Sequence, residues 1–294
     1  MIYVLYNPCA GNNKGEARAR ELKSFYHNKN LLFINMMQID EYVRFFSGIS
    51  QDDTIILCGG DGTLNRFIND TDGLSIENTI LYYPIGSGND FAHDVGKQVG
   101  EQPFDISNDI KELPYVYVGE RKYRFLNGIG YGIDGYCCEI GDQLRGTSEK
   151  PINYTSIAIK GLLFHYKPTN AKVTVDGVCH TYEKVWLSPT MNGRFYGGGM
   201  MPAPRQDRNG HNTLSVMVLH GSDKLKTLAV FPSIFKGRHI RHKEMVDVLT
   251  GAEITVEFDR PTPLQIDGET ILGVTSYRAV CENTVAIKEK PAYC

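Results

Sequence analysis

The sequence predicts an α/β domain followed by a mostly antiparallel β domain. Three observations predict it. Short apolar runs alternate with helical patterns over residues 1–115. Three of those runs end in polar or glycine-rich stretches. Beyond residue 115 the apolar runs become short, β-branched or aromatic, and divided by turn residues. A chain of 294 residues can build one large domain or two ordinary ones. The change of texture sets the expected boundary near residue 117, giving domains 1–117 and 118–294, with the return of the last residues to the first domain left open.

Ile2–Tyr6 is apolar and ends in Asn7-Pro8, a buried strand followed by a turn. Lys14–Tyr26 reads as a helix with Ala17, Leu22 and Phe25 inward. Leu31–Met37 is a second strand. Ile39–Phe46 is a second helix, with Asp40 and Glu41 suited to its first turn. Thr54–Cys58 is a third strand, followed by Gly59-Gly60-Asp61-Gly62-Thr63-Leu64-Asn65 and a helix near Thr63–Asn69. Ile80–Ile85 is a fourth strand. This order predicts a parallel sheet, whose ligands sit outside the carboxyl ends of its strands. Asn7–Gly11, Gly59–Asn65 and Gly86–Asp90 all follow strands and would converge at that edge.

In the second domain, strands are expected at Tyr115–Tyr117, Tyr123–Leu126, Ala171–Val175, Lys184–Leu187, Leu214–Leu219, Glu253–Phe258, Pro263–Ile266 and Thr284–Ile287. Helical patterns interrupt them at about Tyr154–Tyr166 and Lys224–Phe235.

Composition narrows the function classes. Hydrophobic residues at 41% and charged residues at 22% suit a folded soluble protein. A net charge of −3 supplies no overall basic field toward nucleic acid or an anionic membrane. Seven irregularly spaced cysteines, with Cys137 and Cys138 adjacent, point to reduced thiols and a cytoplasmic setting. The first residues lack the basic start of a signal peptide, and no apolar run approaches the roughly 18 residues of a membrane span. Action on a membrane would therefore mean docking from outside.

Familiar nucleotide motifs are absent: there is no Gly-x4-Gly-Lys loop and no complete Gly-x-Gly-x-x-Gly. No His-Glu-x-x-His or cysteine cluster suggests zinc. What the chain offers is glycine loops carrying acids. Gly59–Asn65 can bring backbone N–H groups to a phosphate at a helix start. Asp61 beside such a phosphate implies an intervening metal, although an ordinary Asp-Gly turn is the plainer alternative. In Gly86–Ala92, Ser87 can donate to a phosphate, and Asp90 can approach a metal or merely cap a helix. Asn127–Gly135 carries Asp134 among small and apolar residues; a glycine-rich bulge or hinge would explain its glycines alone.

Asp267-Gly268-Glu269 is a standard hairpin turn with an acid directly after it. The chain supplies its own control at Asp176-Gly177, which Val178 follows. That difference makes Glu269 a candidate general base. Asn192–Met200 is unusually glycine-rich, and its spacing does not separate a site lining from a plain loop. Lys224–Lys243 is basic and partly aromatic. It can rest on an anionic bilayer, but the commoner case is a surface helix with its apolar face packed inward.

Together these motifs resemble the diacylglycerol kinase catalytic domain family, which includes sphingosine and ceramide kinases and the soluble bacterial lipid kinases. The resemblance rests on Asn7-Pro8-x-Ala10-Gly11, Gly59–Asn65 and Gly86-x-Gly88-Asn89-Asp90-Phe91-Ala92. It continues through Phe125-x-Asn127-x-x-Gly130-x-Gly132-x-Asp134, Asn192-Gly193 with Gly197–Gly199, and Asp267-Gly268-Glu269. It covers nearly the whole chain. It implies an α/β nucleotide-binding domain and a β-sandwich-like domain with the active site between them, and ATP and Mg²⁺ as cofactors.

Carried over position by position, Asn7, Pro8, Ala10, Gly11, Gly59, Gly60, Asp61, Gly62, Thr63, Leu64, Asn65, Ser87 and Asp90 would contact nucleotide. Asp61, Asp90 and Asp134 would organise phosphates and metal, and Glu269 would deprotonate the acceptor hydroxyl. One region departs. Where the family has an acid that helps hold a structural Mg²⁺, this chain has Asn209 in Arg205–Val216. Backbone oxygens at Gln206 and His211 could still coordinate, with Asn209 completing the candidate site, but the lost charge should weaken it. Met36-Met37-Gln38 departs as well, where the family often has a threonine near the nucleotide.

The reading is an ATP-dependent lipid kinase acting on a hydroxyl of diacylglycerol or a related membrane lipid. It is cytoplasmic, transiently at the membrane surface, without nucleic-acid partners, and compatible with a homodimer. Two alternatives stand beside it: an NAD kinase-like enzyme for a soluble substrate, and a nucleotide-binding regulatory protein without catalysis.

Overall fold

A computed structural model describes residues 1–145, 157, 160–161, 165–210 and 212–281. The chain divides into two compact units, Met1–Glu112 and Leu113–Cys294.

In the first unit, strands β1 (Ile2–Tyr6), β2 (Leu31–Asn35), β3 (Thr54–Gly59) and β4 (Ile80–Pro84) form a parallel sheet. Its order is β2-β1-β3-β4, and the two-residue β5 (Phe104–Asp105) closes one side antiparallel to β4. The strands are apolar because helices and loops cover both faces: Val4, Leu5, Ile55, Ile56 and Leu57 are fully buried. In-register pairing of Ile2 with both Leu31 and Thr54 aligns the carboxyl ends at Tyr6, Asn35, Gly59 and Pro84. One face packs Ala19, Leu22 and Phe25 against the sheet. Tyr42, Phe45, Phe46 and Phe67 form an edge-on aromatic cluster.

Local chemistry moves some element ends. The second strand stops at Asn35, whose side chain accepts from the Met37 N–H and starts a 3₁₀ turn over Met36–Gln38. The helix expected over 14–26 is a short α-helix, Gly15–Ala19, continued as a 3₁₀ helix over Arg20–Ser24.

The strands of the second unit begin with β6 (Tyr115–Val118), β7 (Arg121–Arg124), β8 (Gly128–Tyr131), β9 (Thr169–Val175) and β10 (Val178–Val185). They continue with β11 (Thr190–Met191), β12 (Leu214–Leu219), β13 (Val246–Gly251), β14 (Glu253–Ile266) and β15 (Glu269–Val280). The unit is built on the long strand β14. Expected as two strands, it is continuous through an irregular stretch between Glu257 and Thr262. One half, Ile254–Phe258, pairs with β9, and the other, Leu264–Ile266, pairs with β8. The strand β15 returns along it through the Asp267-Gly268 turn. A single bent strand thus serves two parts of a ten-stranded, largely antiparallel sheet. Phe125, Ile129, Tyr131, Val173, Val216, Val256 and Leu264 fill the core, with the rings of Tyr131 and Phe258 stacked 3.8 Å apart.

Other elements differ from expectation as well. Tyr123–Leu126 is replaced by β7 at Arg121–Arg124, set by the tight turn at Gly119-Glu120. Lys184–Leu187 is only the end of β10. Gly128–Tyr131, read as a loop, is a fully buried strand. Ile133–Arg145, not foreseen, is a helix. Thr284–Ile287, most of Tyr154–Tyr166 and the chain end lie outside the described residues.

Candidate active site

In the first unit the three loops that follow β1, β3 and β4 meet. Asn7 caps the first turn by accepting from the Cys9 N–H, and its amide donates to Thr63 Oγ1 at 3.1 Å. Gly59 and Ile85 are joined by a backbone bond of 2.8 Å. The contact between the second and third loops is glycine on glycine: a Cβ at Gly86 would lie 2.4 Å from the Cα of Gly60. Gly86 has no room for a side chain, and a Cβ at Gly60 would sit tightly, 3.0 Å from the Gly86 Cα. Asn89 ties the third loop, accepting from the Gly86 N–H at 3.0 Å and donating to its carbonyl at 2.8 Å. Ser87 and Gly88 are left exposed at its tip.

Asp61 opens the helix Asp61–Asp70, and its carboxylate reaches across to another helix. Its two oxygens accept from the N–H groups of Asp90 and Phe91, each at 2.9 Å. Those are first-turn amides of Asp90–Asp94, which lacks a side-chain cap of its own. Asp61 therefore caps a helix in trans and fixes the third loop to the second. The side chains of Thr63, Leu64 and Asn65 are buried, Leu64 completely. Leu64 is buried as a whole residue, backbone included, so the expected nucleotide contact there is not met by an exposed group.

In the second unit, Asp134 lies in the first turn of the Ile133–Arg145 helix and is 6% exposed. Gln265 Nε2 donates to its Oδ2 at 2.9 Å. Desolvation pushes its carboxyl up to about 6, against the pull of Gln265 and of the Tyr196 hydroxyl. That hydroxyl faces Asp134 without reaching full hydrogen-bond geometry. Gly130 has to be glycine here, because a Cβ would lie 1.5 Å from Asp134 Oδ2.

The far end of Gln265 accepts from the Gly268 N–H at 2.6 Å. One amide therefore links Asp134 to the turn that carries Glu269. Glu269 itself is exposed at the start of β15, paired with Ile266. Asp267 is buried in that turn, with Oδ1 accepting from the Asn127 and Gly128 N–H groups at 2.8 and 2.9 Å. Its Oδ2 accepts from the Leu126 N–H.

Gln265, Asp267 and Arg208 have no role in the reading from sequence. For Gln265 the available signal is a polar residue inside the apolar run Pro263–Ile266. Asp267 carries only the ordinary signature of a hairpin turn, and Arg208 carries none. In the Arg205–Thr213 loop, Gln206 Nε2 donates to the Thr213 carbonyl at 2.7 Å and to the Asn192 carbonyl at 3.4 Å. Its Oε1 accepts from Ser215 Oγ at 2.6 Å. Asn209 is exposed, and its N–H donates to Asp207 at 3.0 Å. His211 lies outside the described residues. Among the described residues no three His, Cys, Asp or Glu side chains group to hold a metal ion.

The diacylglycerol kinase catalytic domain matches residues 1–113, and the YegS C-terminal NAD kinase beta sandwich-like domain matches residues 127–287. The chain belongs to the diacylglycerol kinase family. It is 22% identical over 306 residues to "Putative lipid kinase YtlR" of Bacillus subtilis (strain 168), covering 94% of this chain and 95% of that one. It is 24% identical over 216 residues to "Diacylglycerol kinase" of Mycobacterium tuberculosis (strain H37Rv), covering 71% and 67%. A solved structure described as "a putative diacylglycerol kinase from Bacillus anthracis str. Sterne" superposes with a TM-score of 0.64. That match has 17% identity and covers 95% and 91% of the two chains. It shares the fold: a parallel-stranded sheet first, and an antiparallel β domain second. Kinase family membership implies use of ATP.

Proposed function

We propose that this family member is a lipid kinase that moves the γ-phosphoryl group of ATP to a hydroxyl of diacylglycerol or a related membrane lipid. The observation that carries the reading is the meeting of three glycine-bearing loops at the carboxyl ends of the parallel strands, with Asp61 fastening two of them. Gly60 and Gly86 let the second and third loops approach backbone to backbone, and glycine loops beside a helix start are a natural phosphate cradle. Asn7, Pro8, Ala10, Gly11, Gly59–Thr63, Asn65 and Ser87 would hold it.

Mg²⁺, when bound, neutralises charge on the transferring group. Asp61, Asp90 and Asp134 are the acids that would organise it. The Arg205–Thr213 loop fits a structural cation less well, because Gln206 and Arg208 brace it with donors.

Phosphoryl transfer asks chiefly for positioning and charge stabilisation. Asp134 is kept dry, so its charge state is sensitive to what stands beside it. Gln265 fixes one carboxyl oxygen and, through Gly268, orients the turn before Glu269. Glu269, exposed at that turn, takes the proton from the acceptor hydroxyl as its oxygen attacks phosphorus. No helix among the described residues is long and apolar enough to cross a membrane, so the lipid would be met at a surface.

The test is a total lipid extract incubated with labelled ATP and Mg²⁺, with products identified by mass. A phosphorylated lipid that disappears in Asp61→Ala supports the reading. ATP binding without any product across the extract would favour a regulatory nucleotide-binding protein instead.

A further inference from the structure

Leu126–Gly128 leads into β8 and toward Asp134, and it is gripped on two sides. Asp267 takes the three N–H groups of Leu126, Asn127 and Gly128. Opposite it, Arg208 donates from Nη1 to the Leu126 carbonyl at 3.3 Å and from Nη2 to Asn127 Oδ1 at 3.0 Å. Asn192 adds its amide to the Leu126 carbonyl at 2.9 Å. An anion on the donors and a cation on the acceptors hold one short backbone segment.

The loop bearing Arg208 is itself anchored by protein groups. Gln206 is buried and spends both ends of its amide on Thr213, Asn192 and Ser215. Gly210 donates to the Asp207 carbonyl at 3.1 Å. A divalent cation in this loop would need several oxygens turned toward it. Here Gln206 Oε1, the Asp207 carbonyl and Asp207 Oδ1 already accept bonds, position 209 carries no charge, and a guanidinium already supplies positive charge against the Leu126 carbonyl.

We propose that Arg208 is a positioning residue that does the work a structural divalent cation would do. Its planar fork takes two acceptors on adjacent residues, Leu126 and Asn127, with no exchangeable ion. It thereby holds the segment that Asp267 grips from the other side, and so the spacing between the Glu269 turn and Asp134. The proposal rests on the kinase reading for its kinetic test only; its stability test is independent.

Thermal unfolding without nucleotide is measured in Mg²⁺ and in EDTA, on the wild type and on Asp134→Asn, which removes an acid of the catalytic set. Equal midpoints in the two buffers are expected for Asp134→Asn. Arg208→Ala should lower the midpoint in both buffers, with Arg208→Lys intermediate. Turnover of Arg208→Ala on the lipid product should fall roughly tenfold or more while the KM for ATP stays unchanged, since Arg208 belongs to the unit that does not carry the glycine loops. Added guanidinium ion should restore part of the turnover, and methylammonium should not. Should Arg208→Ala fail to fold, Arg208→Lys carries the same tests.

A Mg²⁺-dependent rise in the midpoint of Asp134→Asn overturns the proposal. So does an Arg208→Ala protein with wild-type midpoint and turnover. Absence of lipid phosphorylation by the wild type would sink the kinase reading and leave the melting comparison standing.

Discussion

Two hairpin turns in the second unit begin with the same dipeptide and serve different ends. Asp176-Gly177 and Asp267-Gly268 share left-handed geometry, with φ of 48° and 85° in one and 47° and 95° in the other. In both, the aspartate staples the start of a neighbouring segment. Asp176 accepts from Ala252 and Glu253, and Asp267 accepts from Leu126, Asn127 and Gly128. The first turn is exposed and is followed by Val178, itself exposed. The second is buried at its aspartate, is followed by Glu269, and is wired through Gln265 to Asp134. Turn chemistry alone therefore does not separate the two turns; burial and the connection to a second acid do.

The comparison can be broken at each difference. The largest effect should be catalytic: Glu269→Gln lowers turnover by roughly 10²-fold or more, with unfolding unchanged because Glu269 is exposed. Val178→Ala, the matching change at the other turn, should leave turnover alone. Parallel kinetics and thermal melts check both.

Asp267→Ala should come next. It leaves buried N–H groups without their acceptor and should cost roughly 3 kcal/mol or more, with loss of activity. Chemical denaturation measures it.

Asp134→Asn should shift stability in the opposite direction. The folded carboxyl is raised to about 6 from an ordinary 3.8, so the native state keeps a proton that the unfolded chain has already released. The ionised group therefore weakens the fold progressively as pH rises through that window, and fully above it. The variant should be more stable than wild type at pH 8 by on the order of 3 kcal/mol without metal, and no more stable at pH 3. Unfolding across pH decides it, and a gain confined to low pH would reverse the assignment.

The smallest effect belongs to Asp176→Ala. Loss of an exposed staple should cost about 1 kcal/mol and leave activity intact.

The parallel sheet was legible because both its faces are covered, so each strand announces itself as an apolar run. The glycine loops were legible because each follows such a run. The helix Ile133–Arg145 and strand Gly128–Tyr131 were hidden by glycines that read as a loop, although those glycines serve close packing: a Cβ at Gly135 would lie 1.9 Å from the Pro263 carbonyl. Asp61 was foreseen as an acid near phosphate, yet its grip on the Asp90–Asp94 helix is a tertiary contact that no spacing encodes. Arg208 and Gln265 escaped for the same reason, since both work on groups distant in the chain. In the basic stretch Lys224–Lys243, Phe231 and Ile234 are buried as an inward apolar face should be, whereas Leu225 is exposed and His239 buried against that pattern.

The most direct measurement offers the wild-type protein and Glu269→Gln the same labelled ATP with mixed lipid vesicles in one arm and NAD in the other. The account predicts label in a lipid product with the wild type, little with Glu269→Gln, equal ATP affinity for both, and none in NAD. Label appearing in NAD alone, or in lipid at the same rate with both proteins, would contradict it.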